Sequence, residues 1–208
     1  MSLTPIKTIF WDIGGVLLTN GWDTGQRRRV LTSLGVDLDA YEKIHDEFNY
    51  YWERGRMSAR DFFEQTVIAT NPQLNLTFER LWPLVCGESK VLHPECFDIL
   101  AALKDSGRYR LATLNNESRE LNAHRLDTFQ LRPYFDYFIS SGYAHEMKPL
   151  PGLFRAATDV SGLPPETAVF IDDKPENCAA ATAHRMQAIH FQSPAQLRAS
   201  LTQLGIAV

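Results

Sequence analysis

The chain has 208 residues, 44% hydrophobic and 22% charged, which is enough apolar material for a sizeable core and argues against disorder or low complexity. Its net charge of −4 argues against a dedicated binder of nucleic acid or of anionic membranes, since either would carry a basic excess. No apolar run approaches the ~18 residues of a bilayer span. The start, Met1 to Pro5, lacks a basic region followed by an apolar stretch, so the expected setting is cytoplasmic, with Cys86, Cys96 and Cys178 as reduced, buried thiols.

In chain order, the first expected strand is Lys7–Trp11. Residues 21 to about 88 then carry only helical patterns, over Gln26–Leu34, Ala40–Tyr51, Ala59–Ala69 and Phe78–Val85, punctuated by Gly55, Asn71-Pro72 and Gly87. Arg27-Arg28-Arg29 is expected as a solvated helix face, and Trp22, Tyr50, Tyr51 and Trp52 as packing residues. A helix follows from Pro94 to Lys104, with proline at its first position and Gly107 just past its end. Strands are expected at Tyr109–Thr113, Phe135–Ser140, Ala168–Ile171 and Ala188–Phe191, and helices at Gly152–Val160 and Glu176–His184. Ser193 and Pro194 open the last helix as N-cap and first residue. This alternation predicts an α/β fold, a Rossmann-like parallel sheet flanked by helices. Residues 1–20 and 89–208 would form that core, and 21–88 a small all-helical domain inserted after the first strand.

Ligands of an open parallel sheet bind beyond the carboxyl ends of its strands. The first strand runs into Asp12, Gly14 and Gly15, and the second into Asn115-Asn116. The third is followed by a loop, Ser141–Glu146, leading to Lys148, and the fourth by Asp172-Asp173 with Asn177 beyond. Three carboxylates around one point repel one another and call for a hard cation, Mg²⁺ being the usual one. A lysine and amide donors suit a phosphate beside it. Gly14-Gly15 allows a close backbone approach, and a carboxylate nucleophile gives a covalent intermediate.

Four motifs in this order resemble the haloacid dehalogenase-like (HAD) hydrolases over nearly the whole chain. The pattern is most similar to the branch holding the phosphatase domain of epoxide hydrolases and the sugar-1-phosphate phosphatases. The motifs are Asp12-x-Gly14-Gly15-Val16, Leu114-Asn115-Asn116, Lys148-Pro149 and Val169-Phe170-Ile171-Asp172-Asp173-x-x-x-Asn177. The helical insert matches the family's cap domain. The resemblance implies a Mg²⁺-dependent phosphatase of a small phosphorylated metabolite, working as a monomer or homodimer, with Asp12 as nucleophile through an aspartyl-phosphate. It implies Mg²⁺ ligands in Asp12, the Gly14 carbonyl, Asp172 and Asp173. Gly15, Asn115 and Asn116 would face the phosphate, Lys148 would neutralise charge on both, and Asn177 would steady the acidic loop.

Two departures bear on activity. Gly14 stands where the family's phosphatases usually carry a second aspartate, the general acid, and Asn115 stands where a hydroxyl is usual. The first loss restricts the enzyme to easy leaving groups or requires a borrowed acid, for which His145, Glu117 and Glu53 are the candidates. The alternatives are a metal-independent 2-haloacid dehalogenase-type hydrolase and a non-catalytic binding protein of the same fold.

Overall fold

The computed structural model describes residues 5–208; Met1–Thr4, at the start of the expected core domain, lie outside the described residues. Five strands form one parallel sheet: β1 (Thr8–Trp11), β2 (Arg110–Asn115), β3 (Tyr137–Ser140), β4 (Ala168–Asp172) and β5 (Gln187–His190). The spatial order is β3-β2-β1-β4-β5. The central β1 pairs on both sides, with Trp11 level with Thr113 and with Ile171.

All four β1 residues are buried, because helices cover both faces of the sheet. Side chains alternate across a strand, and here the alternation separates two cores. Ile9 and Trp11 pack with Ile99, Leu100 and Leu103 of α5 (Pro94–Ser106) and with Leu197 and Leu201 of α10 (Pro194–Gln203). Phe10 points the other way, to Leu153, Phe154 and Ala157 of α8 (Pro151–Ser161) and Ala181 of α9 (Pro175–Ala183). The helix signals behave as expected. Gly107 ends α5 in the left-handed conformation, and the Ser193 hydroxyl accepts from the Gln196 N–H at 3.2 Å.

Between β1 and α5 lie α1 (Thr24–Ser33), α2 (Leu38–Glu53), α3 (Ala59–Phe63) and α4 (Phe78–Gly87). Asp23, Asp37 and Ser58 cap the first three through their side chains. These helices share a third hydrophobic cluster that includes Trp22, Leu31, Trp52, Phe62, Phe63 and Leu81. Trp52 stacks on Phe62, with centroids 4.4 Å apart. Leu121, on α6 (Arg119–Thr128), joins this cluster from outside the segment.

Several local expectations need correction. The helix expected over Ala59–Ala69 is α-helical only to Phe63 and then widens into a π turn, Glu64–Ile68. The first residues of the expected loop Ser141–Glu146 form a helical turn, α7 (Ser141–Ala144). Arg27 is no solvated residue. Its guanidinium is buried against Glu42, with two contacts of 2.8 Å, and it donates to the Trp22 carbonyl. Trp22 and Trp52 do pack, whereas Tyr50 and Tyr51 are exposed. The helix α6 carries little periodic apolar signal, because the face it buries includes Asn122 and Arg125.

Those two polar residues have structural partners. Arg125 donates to Glu117 Oε2 at 2.5 Å, and both groups are buried. It also donates to the Thr19 carbonyl, on the segment leading to α1. Gly21 lies so close to Glu117 that a Cβ there would meet Oε2 at 2.4 Å. The returning segment crosses beside it, with the Thr19 N–H donating to the Lys90 carbonyl at 2.9 Å. The buried ion pair therefore clamps the chain crossing into the helical segment. Removing one partner strands the other charge in low dielectric, so Arg125→Met is expected to cost about 3–5 kcal/mol, measured as the loss of unfolding free energy in urea.

Candidate active site

Three carboxylates meet at the carboxyl edge of the sheet. Asp12 directly follows the central strand, and its N–H donates to the Ile171 carbonyl at 2.9 Å, extending the pairing with β4. Asp172 ends β4, and Asp173 follows it. Oxygens of the three lie within 4.8 Å of one another. Gly15 makes this approach possible. Its φ of +75° suits glycine, and a Cβ there would sit 2.1 Å from Asp173 Oδ2.

Lys148 is buried beneath the cluster, with its Nζ 2.6 Å from Asp172 Oδ2 and 3.2 Å from Asp12 Oδ1. Burial pulls its pKa down, but the two carboxylates outweigh that and hold the ammonium above its usual range. Asp172 is further fixed by Asn177 Nδ2 at 3.0 and 3.1 Å and by the Lys174 N–H at 2.8 Å. Asn177 is thus a buried positioning residue, and Asp172 has spent its lone pairs on the protein. The other two acids are less satisfied. The Ile13 N–H donates to Asp12 Oδ1 at 2.8 Å. Burial raises the Asp12 pKa to about 7, Lys148 opposes it, and the charges of Asp172 and Asp173 add to it. Burial and Asp172 also raise that of Asp173, whose Oδ1 is buried without a hydrogen-bond partner among the described residues.

The amides at the end of β2 divide their work. Asn116 bonds the Lys148 backbone in both directions, Nδ2 donating to its carbonyl at 2.8 Å and Oδ1 accepting from its N–H at 2.9 Å. It therefore sets the lysine loop. Asn115 Nδ2 donates to Asn122 Oδ1 at 3.1 Å, while Asn115 Oδ1 is buried and has no partner among the described residues. Thr113 lies deeper in the sheet, its hydroxyl accepting from the Ile139 N–H. Gly14 sits in the turn after Asp12, with Asn20 Oδ1 3.0 Å from where a Cβ would be.

Beside Lys148 and Asn177, which contact the carboxylates, a cleft of about 450 Å³ runs between the sheet edge and the helical segment. Its walls include Asn20, His45, Asn49 and Glu53 on one side and Lys148 and Lys174 on the other. A larger open groove of about 780 Å³ lies at the opposite ends of the strands, near Lys7 and Arg110, away from these acids. Sequence reasoning missed His45, Asn49 and Asn20 as cleft residues. His45 and Asn49 fall four apart on α2, one turn from Glu53, a spacing visible in the sequence only once the facing side is known.

Three acids and one ammonium leave a negative excess of two. With hard oxygen donors and the orphaned Asp173 oxygen, the set fits a small divalent cation that Asp12 and Asp173 would hold, while Asp172, also expected as a ligand, has its oxygens engaged by Lys148, Asn177 and the Lys174 N–H. A family model described as haloacid dehalogenase-like hydrolase matches residues 6–185. The chain belongs to the haloacid dehalogenase-like hydrolases.

Among similar proteins, a phosphoglycolate phosphatase of Aquifex aeolicus is 33% identical over 81 residues, which span 39% of this chain and 38% of that protein. An N-acylneuraminate-9-phosphatase of Rattus norvegicus is 21% identical over 198 residues, covering 83% and 76% respectively. The fold matches that of a HAD family enzyme from Bacteroides thetaiotaomicron in complex with magnesium and inorganic phosphate, with a TM-score of 0.72 at 19% identity over 90% of this chain and 95% of that one.

The raised Asp12 pKa has a thermodynamic sign. Between its unfolded value near 3.8 and its folded value near 7, the native state holds a proton that the unfolded state has lost. Stability of the metal-free protein therefore falls as pH rises through that window. Asp12→Asn is expected to raise the metal-free melting temperature at about pH 8 and to shrink the stabilisation gained on adding Mg²⁺, both read by thermal denaturation.

Proposed function

We propose that this HAD-like hydrolase is a Mg²⁺-dependent phosphatase of a small phosphorylated metabolite, and that residues 21–88 act as a cap over its site. The observation that carries this reading is the Asp12–Asp172–Asp173 cluster with Lys148 buried in it. Phosphatases among the relatives and the magnesium-and-phosphate complex of a structural neighbour support it. A dehalogenase needs no cation, and the carboxylates of Asp172 and Asp173, offset only by Lys148, would then stand beside its nucleophile at an electrostatic cost.

In this reading Asp12, Asp173 and the Gly14 carbonyl would hold Mg²⁺, with Asp172 set one layer back by Lys148 and Asn177. When bound, the ion offsets the negative charge that a phosphate brings to these acids. Asp12 attacks phosphorus, and the carboxylate oxygen that Ile13 does not hold is the one free to do so. The ester oxygen leaves with its bonding electrons, giving an aspartyl-phosphate that water then opens. Lys148 spreads positive charge over Asp12 and the phosphoryl oxygens. The amide of Asn115 and the turn through Gly14 and Gly15 face the same group. Asn116 acts through Lys148, whose backbone it holds.

Orthophosphate release from a panel of phosphate monoesters tests the proposal. Release is expected to require Mg²⁺, to stop on chelation, and to fall on the order of 10³-fold or more in Asp12→Asn. Chelator-insensitive halide release from a 2-haloacid would overturn it in favour of carbon–halogen hydrolysis.

A further inference from the structure

Expelling an alkoxide from a phosphate monoester needs a proton, and Gly14 supplies none at the turn beside the nucleophile. The side chain of Asn20 lies beside Gly14, its Oδ1 3.0 Å from where a Cβ would be. The acid must come from another wall of the cleft. The cleft-lining groups that carry a transferable proton can be sorted by their existing bonds.

Asp23 is committed as the N-cap of α1, accepting from the Gln26 N–H at 2.8 Å. Glu176 is exposed in the first turn of α9. His45 is bonded to the Tyr41 hydroxyl through Nδ1 at 3.0 Å, and burial lowers its pKa to about 4, which leaves it neutral near pH 7. Lys148 is held between two carboxylates. The other two sequence candidates do not line the cleft. Glu117 is ion-paired with Arg125. His145 donates through Nδ1 to the Arg54 carbonyl at 2.6 Å.

Glu53 remains. Its carboxyl lines the cleft at the last turn of α2, in one stripe with His45 and Asn49, and makes no ion pair among the described residues. Its position over the core is fixed through the backbone. Its carbonyl accepts from the Ser141 hydroxyl at 2.6 Å, and Ser141 Oγ in turn accepts from the Glu117 N–H at 2.8 Å, just beyond β2. Two residues on, Gly55 lies against the Gly142 carbonyl, which a Cβ would meet at 1.9 Å. The helical segment therefore touches the sheet edge at Glu53–Gly55.

We propose that Glu53 is the general acid and base of the reaction, supplied from the helical segment in place of a carboxyl at position 14. The inference rests on the phosphatase reading. In the first step the Glu53 carboxyl gives its proton to the ester oxygen as the phosphorus–oxygen bond breaks and Asp12 takes the phosphoryl group. The products of that step are the free alcohol, aspartyl-phosphate and the Glu53 carboxylate. In the second step that carboxylate takes a proton from water while the water oxygen bonds to phosphorus and the Asp12–phosphorus bond breaks. Orthophosphate, free Asp12 and protonated Glu53 result. Burial raises the Glu53 pKa to about 7, and the Glu117 charge adds to this, while Asn49, Lys174 and Arg54 oppose it. Arg27 and Glu176 also face the same cleft. Such a group is protonated in part at neutral pH, as an acid–base catalyst requires.

The test uses the full-length protein with Mg²⁺ and a series of phenyl phosphates, from the nitrophenyl to the unsubstituted ester, together with one alkyl phosphate. The rate of alcohol release in the first turnover is measured. Wild type is expected to show a shallow dependence on leaving-group acidity and, with the alkyl ester, a kcat/KM that falls as pH rises through about 7. In Glu53→Gln the nitrophenyl ester should keep its first-turnover rate within about threefold. The alkyl ester should lose on the order of 10²–10⁴-fold, and the high-pH fall should disappear. Glu53→Asp should restore part of the loss if a carboxyl, rather than packing, is what matters. Equal loss on all esters, or no loss on any, would overturn the role of Glu53. Failure of wild type to turn over even the nitrophenyl ester, with Asp12→Asn indistinguishable from it, would overturn the underlying phosphatase reading and Glu53 with it.

Discussion

Mutual repulsion among Asp12, Asp172 and Asp173 is the constraint around which the molecule is built. No helix or strand needs three carboxylates within 4.8 Å, and in a dry sheet edge they cost free energy. The fold answers with Lys148, brought in from the far side of β3 and buried between two of the three. Asn177 and the Lys174 N–H satisfy the carboxylate nearest the lysine, and Gly15 leaves room for the one farthest out. What remains unsatisfied in the cluster, among the described residues, is Asp173 Oδ1. Stability has been sacrificed where a ligand can restore it.

The sheet and the positions of its strand ends were legible from sequence because both depend on local pattern. β-Branched and aromatic runs marked all five strands, and the parallel order put Asp12, Asn115 and Asp172 on one edge. The helix α6 was harder to see, since it buries Asn122 and Arg125 where periodicity looks for apolar residues. The π turn after Phe63 and the inward turn of Arg27 likewise depend on partners distant in sequence.

The site was legible in its residue types and only partly in its division of labour. Motif order pointed to Lys148 and the acidic pair. It did not reveal that Asn116 spends both amide atoms on the backbone of Lys148, or that the Asn20 side chain lies beside Gly14. Those are facts of three-dimensional neighbourhood. The same holds for Glu53, one of several acids in a helical stretch until the contact of its carbonyl with Ser141 places it over the sheet edge.

Leu121 inserts into the hydrophobic cluster of the helical segment, while its neighbour Asn122 accepts the hydrogen bond from Asn115 at the end of β2. The two residues are consecutive on one rigid rod. A swivel of the helical segment that kept its grip on Leu121 would tug on the amide at the end of β2. Movement of the helical segment would then be mechanically linked to that amide, with α6 as the lever.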